Sequence, residues 1–313
     1  MTLGKDLAYV ALVVNDSETT ARVLGRHLGL KHNDIDDGNG NGQRVPVFAI
    51  GESALALFPQ GHPGVGGETR PGVHHIALGV DHLDDGRAVA DKAGVPVIGK
   101  PETGLGNRRR VALAPEQTAG IRTWITERVS IDRAKAPLIE RLDHLGIASA
   151  DNQAGIAAWT HRLGCPIESQ QTDMEVMIPV ESFTSDRHGV VYHSRAPIPV
   201  AGLRVAFITV GDTDLELLQN FNPNQTGVVD HGSSGTTRQD QGAIAKFVAS
   251  RGPGLHHVAM KTPDINAVLR KLDEAGVPVI DKKGRPGSRA GLIGFVHPKG
   301  AGGVLFHFDE RPS

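Results

Sequence analysis

Four segments of the chain share one pattern, and this repeat restricts the fold more than any other feature. The segments begin at Leu7, Val73, Leu142 and Leu255 and read "LAYVALVVNDSETTARVLGRHLGL", "VHHIALGVDHLDDGRAVADKAGVPVI", "LDHLGIASADNQAGIAAWTHRLGCPI" and "LHHVAMKTPDINAVLRKLDEAGVPVI". Each starts with alternating strand residues, passes an Asp and continues with apolar residues at helical spacing. Each helical stretch ends at a glycine, which is typical of a helix C-terminus. Further short alternating segments follow, so the repeated unit is predicted to be a strand, a helix and about three strands.

The spacing of the repeats shows where the chain carries extra length. Tyr9 and His75 lie 66 residues apart and His75 and His144 lie 69 apart, whereas 113 residues separate His144 from His257. Part of the excess is the polar, glycine-rich segment 220–242, which is predicted to be a long loop.

The repeat also predicts the domain organisation. Units one and two are predicted to form an N-terminal domain over residues 1–129. Units three and four are predicted to form a second domain over residues 142–313. The charged segment 130–141 is interpreted as the linker between them.

The composition excludes several classes of protein. With 313 residues, 39% hydrophobic residues, 22% charged residues and a formal charge of -2, the chain is typical of a globular protein without a basic nucleic-acid surface. The single cysteine, Cys165, excludes an internal disulfide framework and is consistent with a reducing compartment. The sequence has no apolar run of membrane-spanning length and no secretory start. We therefore expect a cytoplasmic protein without nucleic-acid or membrane partners.

The C-terminal half carries stretches that are similar to a known family. These are "LDHLGIA", "GLRVAFITVGDTDLELLQ", "AIAKFVASRGPGLHHVAMKTPDINAVLRKLDEAGVPVID" and "GFVHPKGAGGVLFHF". They resemble the vicinal oxygen chelate superfamily, which includes glyoxalase I, extradiol dioxygenases and, most similar here, methylmalonyl-CoA epimerase. The N-terminal half resembles the superfamily only in its repeat. The resemblance implies an α+β fold, in which four paired βαβββ modules form two cup-shaped mixed β-sheets flanked by helices.

The resemblance also implies a metal site in the second cup. In the superfamily the ligands come from the first and last strands of each unit, and the corresponding residues here are His144, Glu216, His257 and His307. The alternation of the strands supports this set, because bulky residues such as Phe306 and Phe308 face away from the predicted ligand between them. Imidazole and carboxylate groups suit one divalent ion per chain: zinc, cobalt, manganese, nickel or iron.

The N-terminal half lacks such a set. Its equivalent positions hold Tyr9, Ala56, His75 and Trp124. Only His75 binds metals well, so we expect a structural histidine in a cup that either binds an organic ligand or supports its partner. His74 and His256, which precede the inward histidines, are expected to face away from the cups and to make hydrogen bonds or subunit contacts.

Two departures from the epimerases affect the expected chemistry. The position of His307 is a glutamate in the epimerases, so this set holds three histidines and one carboxylate. The epimerases also resemble one another in a glutamate before the third strand, whereas the run here is "APIPVAGLRVAF". Tyr192 and His193, in "VVYHSRAP", are the substitutes we consider for proton transfer, with packing or surface exposure as the alternative.

These features predict a metal-dependent enzyme for a small oxygenated substrate. Proton abstraction next to a chelated carbonyl would make it an epimerase, an isomerase or a lyase. The first alternative is an iron(II) dioxygenase that cleaves rings or acts on 2-oxo acids, and the second is a small-molecule binding or resistance protein. The segment 220–242, with His231 and Arg238, is either a lid or a surface excursion, and the sequence leaves a homo-oligomer open.

Overall fold

Two eight-stranded mixed β-sheets, one from each half of the chain, form the framework of the molecule. The computed structural model describes residues 3–221 and 241–311. The N-terminal sheet consists of β1 (Leu7–Val14), β2 (Lys31–Asp36), β3 (Arg44–Ile50), β4 (Ser53–Pro59), β5 (Gly72–Val80), β6 (Val97–Gly104), β7 (Arg108–Leu113) and β8 (Thr123–Glu127). Its strand order is β2-β3-β4-β1-β5-β8-β7-β6.

The second half of the chain repeats this arrangement with one addition. Its strands are β9 (Arg141–Ala148), β10 (Ile167–Met177), β11 (Val180–Ser185), β12 (Gly189–Ser194), β13 (Ile198–Val210), β14 (Thr213–Phe221), β15 (Gly254–Lys261), β16 (Arg285–Pro286), β17 (Leu292–Val296) and β18 (Phe306–Glu310). The C-terminal sheet has the order β10-β13-β14-β9-β15-β18-β17-β16, while β11 and β12 form a separate two-stranded sheet.

The pairing of the strands follows the repeat. The first strand of a unit pairs in parallel with the last strand of that unit and antiparallel with the first strand of the partner unit: β1 pairs with β4 and β5, and β9 pairs with β14 and β15. The two strand orders therefore correspond position by position. The predicted α+β fold of four paired βαβββ modules is confirmed.

Five helices accompany the strands in the described part of the chain. They are α1 (Ser17–Ala21), α2 (Leu83–Lys92), α3 (Asn152–Ile156), α4 (Gln241–Arg251) and α5 (Ile265–Glu274). Wide π-helical turns, Arg22–His27 and Ala157–Arg162, continue α1 and α3. No described helix has the length and apolar character needed to cross a membrane.

A glycine ends the helix of each unit, and an Asp caps its start in three of the four units; in α2 the N-cap is His82. Asp16, Asp151 and Asp264 cap α1, α3 and α5, and each side chain accepts a hydrogen bond from a backbone N–H of the first turn. Each helical stretch then ends at a glycine with a left-handed φ between 67° and 79°: Gly29, Gly94, Gly164 and Gly276. Glycine adopts this φ without the steric cost that a Cβ brings. The predicted helix ends are confirmed in all four units.

One apolar core joins the two halves. A single cluster of buried residues contains Leu24 from the first unit, Leu145 from β9 and Leu269 from α5. Ala136 and Ile139, within the predicted linker, are buried in the same cluster. The halves are therefore packed together, and the division at 1–129, 130–141 and 142–313 stays a prediction.

The extra length of the third unit has more than one location. The β11–β12 hairpin lies between β10 and β13, and α4 precedes β15. Most of the predicted loop 220–242 lies outside the described residues, as do His231 and Arg238.

Candidate metal centre

The four predicted ligands come together on the C-terminal sheet. His144 lies on β9, Glu216 on β14, His257 on β15 and His307 on β18, which are the four central strands. Their exposed fractions are only 0%, 1%, 3% and 1%. Phe306 and Phe308, on either side of His307, pack in the core with α5, so the four ligands occupy the opposite face of the sheet.

The register of the strands explains this convergence. Glu216 pairs with Gly146, two residues beyond His144, and His307 pairs with Ala259, two residues beyond His257. Side chains two residues apart share one face of a strand. A Cβ on Gly146 would lie 2.0 Å from Cε1 of His257, so the glycine provides the space that the imidazole of His257 fills.

Glu216 lies at distances from two of the histidines that suit one small cation. Oε2 of Glu216 lies 3.4 Å from Nε2 of His144 and 3.5 Å from Nε2 of His257. Two ligand atoms on a tetrahedral zinc lie roughly 3.4 Å apart, given Zn–N bonds of about 2.0–2.1 Å. The third histidine, His307, belongs to the same group, because one nitrogen from each of the three rings lies within 4.8 Å of the others.

Six polar atoms of the set have no hydrogen-bond partner among the described residues. These atoms are Nε2 of His144, both carboxylate oxygens of Glu216, Nε2 of His257 and both ring nitrogens of His307. Buried polar atoms are satisfied in the great majority of cases, so six unsatisfied atoms in one cluster require a common explanation. A divalent cation bound by all four side chains supplies it, and the residues present therefore fit a metal ion.

The protonation states also suit a cation. Burial lowers the pKa of His257 and holds the pKa of His307 well below its ordinary value, so both rings are neutral and offer a lone pair. Burial alone would raise the pKa of Glu216, but the neighbouring His144 and His257 outweigh it and the pKa is lowered. Burial alone would lower the pKa of His144, but Glu216 and Asp143 outweigh it and the pKa is raised. The set thus combines two neutral imidazoles, an ionised carboxylate and a His144 ring that must release its proton to bind a cation.

A buried ion-pair network fixes the ring of His144. Its Nδ1 lies 2.9 Å from Oδ2 of Asp143, and Asp143 accepts hydrogen bonds from Arg289 at 2.7 Å and Arg311 at 2.8 Å. Arg289 also bonds Asp214 at 2.8 Å. Because Nδ1 is engaged on this side, the Nε2 of His144 is held toward the other three ligands.

A second acidic group lies beside the set. Asp309 is fully buried, and an oxygen of Asp309 lies within 4.8 Å of ligand atoms of Asp143 and His144. Burial raises the pKa of Asp309 to about 6. A cation suits Asp143, His144 and Asp309 less well than the three histidines. Arg289 lies 3.4 Å from Nδ1 of His144 on that side, and its positive charge would repel a bound cation.

Sequence reasoning missed Asp143, Arg289 and Asp309. The sequence could have predicted Asp309, because it lies two residues after His307 and therefore on the same face of β18. No sequence pattern predicts Arg289, because it lies in the turn-rich run "KGRPGSRAG" and only the fold brings it to the site.

The structure does not bring Tyr192 and His193 to the four ligands. Both lie on β12 of the separate hairpin, where Tyr192 is 70% exposed and His193 pairs with Glu181. The ring of His193 lies 5.9 Å from that of Phe183, and no described contact of either residue reaches the four ligands. Their role in proton transfer stays a prediction without support from contacts.

The N-terminal sheet places other residues at the equivalent positions. Ala56 pairs with Ala11 and Trp124 pairs with Ala77, which matches the pairing of Glu216 and His307 in the second half. The ring of His75 lies 5.8 Å from that of Tyr9 and 5.9 Å from that of Trp124.

The histidines that precede the inward ones make hydrogen bonds, as predicted, while their orientation away from the cups stays a prediction. Nδ1 of His74 lies 2.7 Å from Nδ1 of His75, and Nδ1 of His256 lies 3.0 Å from Nδ1 of His257. The same His–His contact thus occurs at equivalent positions of both sheets.

Comparison with known proteins identifies the family. Two models of the glyoxalase/bleomycin resistance protein/dioxygenase superfamily match the chain, one over residues 6–125 and the other over residues 143–295. The chain belongs to this superfamily. The resemblance to the vicinal oxygen chelate proteins, with an epimerase-like second half, is thereby confirmed.

The relatives of this superfamily member include epimerases. Mitochondrial methylmalonyl-CoA epimerase from Bos taurus is 24% identical over 214 residues, which cover 64% of this chain and 98% of the relative. The ethylmalonyl-CoA/methylmalonyl-CoA epimerase of Cereibacter sphaeroides is 26% identical over 176 residues, 55% of this chain and 99% of the relative.

Solved structures of similar fold span both halves. A variant of 4-hydroxymandelate synthase from Streptomyces coelicolor aligns with a TM-score of 0.61 at 15% identity and covers 100% of this chain and 94% of its own. BphC, a halotolerant catechol dioxygenase, aligns with a TM-score of 0.55 at 11% identity over 99% of this chain and 87% of its own. At these identities the likeness establishes the fold alone.

Proposed function

We propose that this chain is a divalent-metal-dependent enzyme that moves a proton on a small oxygenated substrate. The observation behind this proposal is a cluster of three buried histidines, His144, His257 and His307, with Glu216 within 3.5 Å of two of them. The inward polar atoms of all four lack hydrogen-bond partners among the described residues. The epimerase relatives support an epimerase, isomerase or lyase reaction. The specific reaction of these relatives is not assigned to this chain, because the sequence identity is only 24–26%.

The metal and the protein would contribute different parts of the chemistry. A divalent cation would supply Lewis acidity, which lowers the pKa of a C–H next to a coordinated carbonyl. The four side chains would hold the cation, and the Asp143–Arg289 contact would keep His144 in its ligating orientation. Asp309, the buried carboxylate beside His144, is a candidate for proton transfer in place of the acid that the sequence lacks.

Metal analysis tests the proposal. We expect about one divalent ion per wild-type chain and a large loss of occupancy in Glu216→Ala and His307→Ala. His75→Ala is the matched control, because His75 occupies the position of His257 in the other sheet, and its occupancy should equal that of the wild type. Wild-type protein without stoichiometric metal after mild purification would instead favour a protein that only binds small molecules.

The reaction type needs a second measurement. Solvent deuterium should enter candidate 2-oxo acids or malonyl-type thioesters in the presence of the metal-loaded wild type, and not with Glu216→Ala. No exchange into any candidate, with retained metal, would contradict proton transfer as the reaction.

A dioxygenase is the second candidate. The observation that favours it is membership of a superfamily whose name includes dioxygenases, and a catechol dioxygenase shares the fold of both halves. Four protein ligands leave fewer positions open for substrate and oxygen than a set of three, which favours proton transfer. Oxygen uptake with iron(II) and a catechol or 2-oxo acid distinguishes the two.

A further inference from the structure

A small cavity lies where the two halves of the chain meet, near the starts of β5 and β15. Its volume is about 100 Å³, and its lining comes from both halves. Pockets for drug-sized ligands usually measure about 300–1,000 Å³, so this cavity accommodates a single small group. The lining residues used below are Glu68, Arg70, His74, Arg122, Arg251 and His256.

The charges of the lining leave a positive excess. Arg70 donates a hydrogen bond to Glu68 at 3.3 Å, and Arg122 lies 3.5 Å from the same carboxylate. Arg251 lies over the ring of Phe247 at 5.3 Å, and no described carboxylate lies within 4.0 Å of it. Three guanidinium groups thus face one carboxylate, whose pKa the hydrogen bonds from Arg70 lower to about 2. This excess disfavours a cation and favours an anion.

The two outer histidines add neutral polar groups to the cavity wall. His74 and His256 both line the cavity, and each uses its Nδ1 for the contact with the next histidine along the chain. Nε2 is therefore the one ring nitrogen that each has left for a molecule in the cavity. An imidazole that accepts at Nδ1 carries its hydrogen on Nε2 and can donate it to an anionic oxygen.

The backbones of the two halves approach each other closely in the lining of the cavity. A Cβ on Gly120 would lie 2.6 Å from the carbonyl oxygen of Pro253, and one on Gly254 would lie 3.4 Å from the carbonyl oxygen of Gly120. Arg122 lies two residues after Gly120, and Arg251 lies two residues before Pro253. The backbones that carry the two arginines thus meet at a glycine-lined junction, and the cavity exists only when both halves are assembled.

We propose that this cavity between the two sheets binds a tetrahedral oxyanion, either free phosphate or sulfate or the phosphate group of a larger molecule. The three arginines supply charge-assisted hydrogen bonds, and each outer histidine whose Nδ1 accepts from its neighbour adds a donor at Nε2. The site is separate from the four metal ligands, although His256 contacts the ligand His257 directly.

Titration of the full-length protein with inorganic phosphate tests the proposal. We expect saturable heat in calorimetry and a rise in the melting temperature that exceeds the effect of sodium chloride at equal ionic strength. Arg122→Gln and Arg251→Gln should each weaken phosphate binding about ten-fold or more. The control is Arg87→Gln, since Arg87 is a partly exposed arginine paired with Asp84 on α2 and does not line the cavity, and its affinity should equal that of the wild type.

Two further measurements distinguish a site for free phosphate from a subsite for a phosphorylated molecule, and both from no site. Glycerol phosphate that binds more tightly than inorganic phosphate would identify the cavity as a subsite for a phosphorylated molecule, while equal affinity would identify a site for the free anion. Phosphate that acts no differently from sodium chloride, or that binds Arg122→Gln and Arg251→Gln as it binds the wild type, would overturn the proposal. The melting temperatures of the variants without phosphate establish that each variant is folded.

Discussion

The imidazole of His307 sets the charge of the candidate metal centre. With three neutral imidazoles and the Glu216 carboxylate, a divalent ion would leave the centre with a net charge of about +1. A glutamate at this position, as in the epimerases that the sequence resembles, would leave it about neutral. The extra charge favours anionic oxygen ligands from a substrate, which is consistent with the proposed chemistry.

Gly146 controls the position of a ligand without contacting the metal. In Gly146→Ala the new Cβ would overlap the imidazole of His257, which lies 2.0 Å from its calculated position. The ring must move, so we expect metal affinity to fall on the order of 100-fold while the fold is kept. Competition with a chelator measures this. Ala11→Gly, at the equivalent position of the N-terminal sheet, is the control, and unchanged affinity in Gly146→Ala would contradict the argument.

Asp143 is expected to act through His144. Asp143→Asn keeps the size of the side chain but removes the charge that Arg289 and Arg311 neutralise. We expect metal affinity to fall about 10–100-fold, the usual effect of losing a partner of a ligating histidine. Metal titration checks this, and a further readout is the NMR signal of the His144 ring, whose tautomer should become mixed. An unchanged ring signal would show that Asp143 does not orient His144.

The His74–His75 pair predicts acid sensitivity. Burial lowers the pKa of His74 to about 4 and holds the pKa of His75 well below its ordinary value of 6.5. The unfolded chain therefore binds more protons below pH 6.5, so stability is lost as the pH falls from about 6.5 toward 4. His75→Gln should reduce the slope by about 1.4 kcal/mol per pH unit, the linkage of one proton. Urea unfolding at several pH values measures it, and an unchanged slope would refute the assignment.

At the scale of elements, the β11–β12 hairpin is set apart from both large sheets. Among the described strands, its two strands pair with each other alone, from Val180 opposite Ser194 to Ser185 opposite Gly189. Most of the exposed large apolar side chains of the described chain lie on it or beside it, including Phe183 and Tyr192. An isolated two-stranded hairpin contributes little stability of its own.

Replacing residues 179–195 by a short glycine-containing turn tests this independence. The main sheet keeps its β10–β13 pairing as far as Met177 and Ile198, so we expect the melting temperature to change by no more than about 2 °C. Metal content should be unchanged. Loss of turnover with retained metal would support the predicted roles of Tyr192 and His193, whereas full turnover would remove them from the mechanism.

The elements also show how far the sequence could predict the structure. The repeat predicted the unit order and the helix ends at Gly29, Gly94, Gly164 and Gly276, because these depend on local spacing. The four candidate ligands came from the resemblance to the superfamily, and strand alternation supported them. The hairpin was missed because "VESFTSDRHGVVYHS" alternates like any strand, and alternation does not specify the partner sheet. Arg289 was missed because its contacts with Asp143 and Asp214 join residues far apart in the sequence.

At the scale of the whole molecule, the two halves that the sequence predicted as separate domains pack against each other. The indole Nε1 of Trp159, in the second half, donates a hydrogen bond to the carbonyl oxygen of Thr118 in the first half at 3.2 Å. The oxyanion cavity proposed above also takes its lining from both halves. The contact between the halves is thus both a core and a candidate binding site, and the N-terminal sheet supports the second half although it carries a different set of residues at the ligand positions.

This shared core predicts cooperative unfolding. The chain contains two tryptophans, Trp124 on the N-terminal sheet and Trp159 at the junction. Trp159→Phe leaves fluorescence from Trp124 alone, and Trp124→Phe leaves fluorescence from Trp159 alone. In each variant we expect the urea midpoint from fluorescence to coincide with that from circular dichroism of all the strands, because the two halves cannot expose the common cluster separately. A transition of Trp124 that precedes the loss of the β signal would show that residues 1–129 unfold as an independent domain.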